Sequence, residues 1–158
     1  ILHSVEGFGA RHVCVTGGEP MAQRACIDLL RALCDAGYQV SLETSGALDL
    51  SAVDSRVSRV VDLKTPDSNE CARNRYENLA LLTAHDQLKF VHCSRADYEW
   101  AKCIVLERRL HECCTVLFSP SHRQIAPRDL AEWILADRLP VRVLLQLHKQ
   151  LWGDLPGR

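Results

Sequence analysis

The chain has 158 residues, 47% of them apolar and 25% charged. That is the length and balance of one globular domain with its own core, and it excludes a fibrous or largely disordered chain. The formal charge of -1 gives no net attraction to nucleic acid or anionic lipid, and no apolar run approaches a membrane span, so the expectation is a cytoplasmic protein without nucleic-acid or membrane partners.

The first strand is expected over residues 12–16, with valines at 13 and 15, broken by Gly17-Gly18. A helix over 21–36 follows, because Cys26, Leu29, Leu30 and Leu33 fall on one face and Gly37 can end it. Strands over 39–43 and 58–63 come next, then a long loop from Pro66 to Asn69 and a helix around 76–82. A strand over 87–91 leads to a helix over 95–110 with Ala101, Ile104 and Val105 inward. A strand over 115–118 ends at Ser119-Pro120-Ser121. Pro127 opens a helix in which Leu130, Trp133 and Ile134 share a face, and a last strand over 141–146 runs into a polar tail. Strands alternating with helices imply parallel crossover units and an α/β fold, as an open sheet or as a barrel.

In either architecture, functional groups gather where strands end. Thr16-Gly17-Gly18-Glu19-Pro20 offers bare backbone and a carboxylate suited to an ammonium group. Glu43-Thr44-Ser45-Gly46 adds a carboxylate and hydroxyls. Asp62-Leu63-Lys64 puts a carboxylate and an ammonium on one side of a strand, and Ser119-Pro120-Ser121-His122 adds hydroxyls in a rigid turn. Each is commonplace alone; in succession they describe a ring of ligand-binding groups.

Eight cysteines in a chain without an export signal read as reduced thiols, with Cys14, Cys26 and Cys34 as small core residues. His111 with Cys113-Cys114 lacks a second ligand pair for zinc, so no metal ligand is assigned in this chain.

A strand ending in Thr16-Gly17-Gly18-Glu19-Pro20, then one ending in Glu43-Thr44-Ser45-Gly46, resembles the radical S-adenosylmethionine enzymes. Within that superfamily, Asp62-Leu63-Lys64-Thr65-Pro66, Gln87-Leu88-Lys89-Phe90-Val91, Leu117-Phe118-Ser119-Pro120-Ser121 and the ending Gln146-Leu147-His148-Lys149 through Trp152-Gly153-Asp154 resemble the 7-carboxy-7-deazaguanine synthase family. The resemblance implies a single domain over 1–158, a partial (β/α) barrel lacking its first strand and cluster loop. It also implies a lyase that converts 6-carboxy-5,6,7,8-tetrahydropterin to 7-carboxy-7-deazaguanine with loss of ammonia, toward queuosine. A reduced 4Fe-4S cluster would generate a 5'-deoxyadenosyl radical from S-adenosylmethionine, with Mg2+ assisting, a reductant protein supplying electrons and a homodimer as the working state.

By the same resemblance, Gly17, Gly18 and Glu19 would take the methionine amino group, Ser45 its carboxylate, and Asp62, Leu63 and Lys64 with Ser119, Pro120 and Ser121 the rest of the nucleoside. Thr16, Gln146 and His148 fall to the pterin, the last two on one face of the final strand, and Glu43 to proton movement. The cysteine pattern departs from the family: it ligates its cluster through closely spaced cysteines that include a Cys-x2-Cys pair, and no two cysteines here have that spacing. The chain also opens on Ile1, and it is expected to be the larger, C-terminal part of such an enzyme. A different radical activating enzyme and a nucleoside-binding remnant without catalysis are the alternatives.

Overall fold

A computed structural model describes residues 1–153 and 155, except the side chains of residues 148–150. Among the described residues, six strands form one parallel sheet in the order β1 (His12–Val15), β2 (Gln39–Thr44), β3 (Ser58–Asp62), β4 (Gln87–His92), β5 (Thr115–Pro120) and β6 (Arg142–Val143). Neighbours in the sheet are neighbours in the sequence, so there is no point at which strand order reverses. That resolves the choice left open by periodicity. A doubly wound sheet has such a switch point, whereas a barrel-type sheet keeps its crossovers on one face.

One face is therefore packed by helices α2 (Cys26–Asp35), α3 (Arg95–Glu107) and α5 (Pro127–Asp137). Val40, Leu42, Val61, Leu88, Phe90, Val116 and Phe118 meet Leu30, Leu33, Ala101, Val105 and Leu130 there in a single core. The other face carries the alternate residues: Cys14, Ser41, Glu43, Val60, Asp62, Lys89 and Ser119. It is half-polar and only partly covered on β1 to β4.

Several expected boundaries shift. The expected helix over 21–36 is a 3-10 turn, Pro20–Ala22, followed by extended Gln23 and only then α2. The helix expected around 76–82 is a 3-10 helix, Tyr76–Leu81. The long helix after β4 ends at Glu107, where Arg109 at φ 52 breaks it before the short α4 (Leu110–Cys113). A short helix, α1 (Leu2–Glu6), precedes β1. The largest correction is at the far end: the last strand stops at Val143, and residues 147–152 form helix α6 (Leu147–Trp152). Leu144 still donates its N–H to the Phe118 carbonyl at 2.8 Å, but β5 ends at Pro120 and the chain turns away. His148 thus lies in a helix, so Gln146 and His148 do not share a strand face; the side chain of His148 lies outside the described residues.

Cys26 is buried and Cys34 half-buried as expected, but Cys14 is exposed. Val13 and Val15 take the helix-facing side of β1, so alternation turns Cys14 outward.

Gly46 closes the end of β2 at φ 69, and a Cβ there would stand 2.6 Å from Val61 Cγ1. Both the left-handed backbone and the missing side chain are needed. Gly46→Ala should therefore lower stability by about 2 kcal/mol, read from urea midpoints. An unchanged midpoint would show that neither the left-handed backbone nor the approach to Val61 opposes a side chain here.

Candidate functional site

The C-terminal ends of β1 to β3, with Lys89 from the middle of β4, frame a small cavity of about 140 Å³, lined by Thr16, Gly18, Glu43, Thr44, Ser45, Val60, Asp62, Lys64 and Lys89. Ser45 and Lys64 also line an adjoining cavity of about 230 Å³ with Glu19, Ala47, Leu48, Glu70, Arg73 and Asn74. Six of the residues singled out from sequence, Thr16, Gly18, Glu43, Ser45, Asp62 and Lys64, thus share one cavity, and Glu19 stands at its neighbour.

The Thr16–Pro20 turn passes through positive φ at Gly17 (97°) and Gly18 (56°), with nothing near an added Cβ at either. The glycines are required by backbone conformation and not by space. That turn delivers Glu19 to the end of β2. Its carboxylate accepts from Thr44 Oγ1 at 2.7 Å, Ser45 N at 2.8 Å, Ser45 Oγ at 2.5 Å and Met21 N at 3.1 Å. Partial burial pushes its pKa up, but the hydrogen bonds from Ser45, Thr44 and Met21 outweigh that and hold it below the usual carboxylate value. Glu19 therefore ties the first turn to the second strand, a role the sequence did not signal. A ligand ammonium has to join or displace donors already present.

Asp62 is the centre of the cavity's charge. Its Oδ2 receives Lys64 Nζ at 3.1 Å and Lys89 Nζ at 3.6 Å. Its Oδ1 is buried and has no hydrogen-bond partner among the described residues. A buried carboxylate oxygen without a donor is costly, and a ligand hydroxyl or N–H would satisfy it. Lys89 was missed as a site residue: only the register Asp62↔Lys89 sets the two side by side, and register cannot be read from one strand. Glu43 lies on the same face, two residues before Ser45, exposed and without a hydrogen bond or ion pair among the described residues.

Two expectations separate from this cluster. Leu63 is 2% exposed and belongs to the core, so its side chain takes no part in a ligand site; its N–H continues the ladder to Lys89 O at 2.9 Å. Pro120 and Ser121, with Gln146, line a different cavity of about 470 Å³ formed by the 121–127 loop and Leu145. Ser119 is buried in β5 and lines neither cavity, and Ser121 N–H is fixed to His92 O at 2.8 Å. The strand-end groups thus line a divided rim, with a polar cavity around Asp62 and a more apolar one around Gln146.

The residues present do not fit an iron-sulfur cluster. No Cys-x2-Cys pair exists, and among the described residues no group of three metal-ligating side chains converges.

No family model matches the chain. Curated relatives do. The chain is 44% identical over 156 residues to the 7-carboxy-7-deazaguanine synthase of Chlorobaculum tepidum, covering 97% of this chain and 71% of that protein. It is 41% identical over 152 residues to the enzyme of the same description from Koribacter versatilis, covering 87% and 67%, and 30% identical over 158 residues to that of Clostridium acetobutylicum, covering 97% and 72%. Among solved structures, QueE from Escherichia coli superposes with a TM-score of 0.63 at 23% identity, over 92% of this chain and 60% of that one. Streptococcus suis SuiB bound to S-adenosylmethionine gives 0.64 at 16% identity, over 92% and 40%. At such identities these two speak for the fold alone.

Proposed function

The chain belongs to the 7-carboxy-7-deazaguanine synthase family, and from that premise we propose that its divided rim holds S-adenosylmethionine in the Asp62 half and the pterin between that half and Gln146. The reaction is the conversion of 6-carboxy-5,6,7,8-tetrahydropterin to 7-carboxy-7-deazaguanine with loss of ammonia, a carbon-nitrogen lyase step toward queuosine. Neither a different radical activating enzyme nor a remnant without catalysis is favoured by these relatives. The matched proteins are longer, and this chain spans about 70% of the first of them. The cluster, its Mg2+ partner and the electron donor accordingly have no ligands or docking site assigned here.

The observation that carries the reading is the buried Oδ1 of Asp62, without a donor among the described residues, beside two lysines at the meeting point of β1 to β4. Residues that fit the nucleoside are present. Asp62 would accept from a hydroxyl, Gly18 would let backbone approach the amino acid end, and Ser45 and Lys64 would meet its carboxylate. When bound, S-adenosylmethionine supplies the hydrogen-abstracting chemistry. The protein's own part is to hold the reacting carbon near one pterin C–H and to keep water and competing reactions out. Glu43, uncommitted on the open face of β2, is the group we assign to proton movement during loss of ammonia. Thr16 stands on the same wall, and Gln146 and His148 are kept for the pterin edge. A homodimer is part of this proposal.

Calorimetry of S-adenosylmethionine binding to the cluster-loaded full-length enzyme tests the assignment. Ser45→Ala removes a hydroxyl that serves both Glu19 and the ligand, and Glu19→Ala releases the first turn; each should weaken binding by about tenfold. Glu43→Gln should leave that affinity unchanged while slowing deazaguanine formation. Unchanged affinity in both of the first two variants would remove the rim from the cofactor site.

A further inference from the structure

Two asparagines between β3 and β4, neither near the rim in sequence pattern, hold the rim's two main loops. Lys64 is the first residue after β3 whose backbone has no strand partner, since the ladder to β4 ends with Leu63 N–H on Lys89 O. Such groups otherwise turn to water or fray. Here the Asn74 side-chain amide takes both: Lys64 N–H donates to Asn74 Oδ1 at 2.9 Å, and Asn74 Nδ2 donates to Lys64 O at 2.8 Å. The pair of bonds reproduces what an adjacent strand would supply. The next residue is pinned as well. Thr65, 1% exposed, sets its hydroxyl 3.0 Å from Asp97 Oδ2 and 2.9 Å from Val91 O, and buried Asp97 also accepts from Asp67 N and Cys93 N.

Asn78 does the same for the loop that carries Ser45. It is 1% exposed; Nδ2 donates to Gly46 O and Leu48 O, both at 2.8 Å, and Oδ1 accepts from Leu50 N at 3.1 Å. The segment from Cys71 to Leu81, which is little more than two 3-10 helices, therefore reaches both walls of the 230 Å³ cavity through these two side chains. A brace of this kind fixes the backbone from which the Lys64 and Ser45 side chains extend before any ligand arrives, which lowers the ordering cost of binding.

We infer that Asn74 and Asn78 are positioning residues for the nucleoside end of the site, Asn74 acting on the ligand through Lys64 and Asn78 through the Ser45 loop. The inference rests on the proposed placement of S-adenosylmethionine.

In the cluster-loaded full-length enzyme, S-adenosylmethionine affinity is measured for wild type, Asn74→Ala, Lys64→Met and the double variant. Each single change should weaken binding by about fivefold to tenfold, and the double variant should be no worse than Lys64→Met alone, within about twofold. A residue acting on the ligand independently of Lys64 would add its loss to that of Lys64→Met, and one needed only for stability would lower the active fraction without changing the affinity. Should Asn74→Ala not fold, Asn74→Asp replaces it. That change keeps the acceptor for Lys64 N–H and replaces the donor to Lys64 O by a carboxylate oxygen, so the bond to the carbonyl is lost and the same non-additivity is expected. Wild-type affinity in the Asn74 variant while Lys64→Met is impaired, or additive losses in the double variant, would overturn the brace and leave the cofactor placement standing. A Lys64→Met enzyme with wild-type affinity would remove Lys64 from the site and the brace with it.

Discussion

Asp86→Ala should cost about 3–5 kcal/mol, the expected penalty for breaking a buried ion pair and leaving one charge uncompensated. Asp86 is 1% exposed at the start of β4, where Arg59 of β3 meets it through Nε at 3.1 Å and Nη2 at 3.0 Å, with the Arg59 N–H at 2.8 Å. Thr83 adds its N–H at 2.8 Å and its hydroxyl at 3.0 Å. Five donors therefore converge on one carboxylate. Burial pushes its pKa up, but the bonds from Arg59 and Thr83 hold it below the usual value. Removing the carboxylate strands the Arg59 guanidinium, 8% exposed, inside the sheet. Asp86→Asn, which keeps the size and part of the acceptor set, should cost less than Asp86→Ala. Chemical denaturation decides: an Asp86→Ala protein within about 1 kcal/mol of wild type would place the pair among those that contribute nothing measurable.

Acid should weaken the fold through His92 well before it reaches the carboxylates. The His92 ring is 0% exposed at the end of β4, 4.4 Å from the Phe118 centroid and stacked at 6.4 Å on Phe90. Neither ring nitrogen has a hydrogen-bond partner among the described residues. Burial depresses its pKa from 6.5 to about 4, with the Asp97 charge opposing the shift. The folded state thus keeps the ring neutral while the unfolded chain takes up a proton as pH falls through 6.5. Stability is full above that value and is lost progressively down to about pH 4, by about 3 kcal/mol. Urea midpoints at about pH 7 and about pH 4.5 should show the drop in wild type, and His92→Phe, which joins the Phe90, Tyr98 and Phe118 cluster, should abolish it. A wild-type midpoint that stays flat over that interval, or a drop that survives His92→Phe, would clear His92 of this role. Asp86 titrates lower, so its own loss belongs below the range compared.

What could be read from the sequence followed from local rules. All six strands begin within one residue of where the sequence pattern puts them, because short apolar runs, alternation and helical spacing are properties of short segments. The strand-end motifs converge because parallel strands put all their C-terminal ends on one side, so Thr16, Glu43 and Asp62 needed no register to be grouped. Lys89 did need it. Asn74 and Asn78 sit in a stretch with neither period, and an asparagine that satisfies backbone groups looks like any loop asparagine until the partners are known. The misread end has a different cause: Val141 to Leu147 is apolar enough for a strand, but Leu144 at 38% and Leu147 at 64% exposure are not buried by this chain, and hydrophobicity alone cannot tell a short strand from the start of a helix.

The sequential order of the sheet also sets a calendar for assembly. Each strand docks on the one made just before it, so a chain leaving the ribosome never holds a strand in waiting for a partner synthesised much later. The residues that line the Asp62 cavity have all been made once Lys89 has emerged, whereas Gln146 and its cavity come later. The half of the rim assigned to the nucleoside can therefore take shape on a nascent chain whose pterin-facing half has yet to be made.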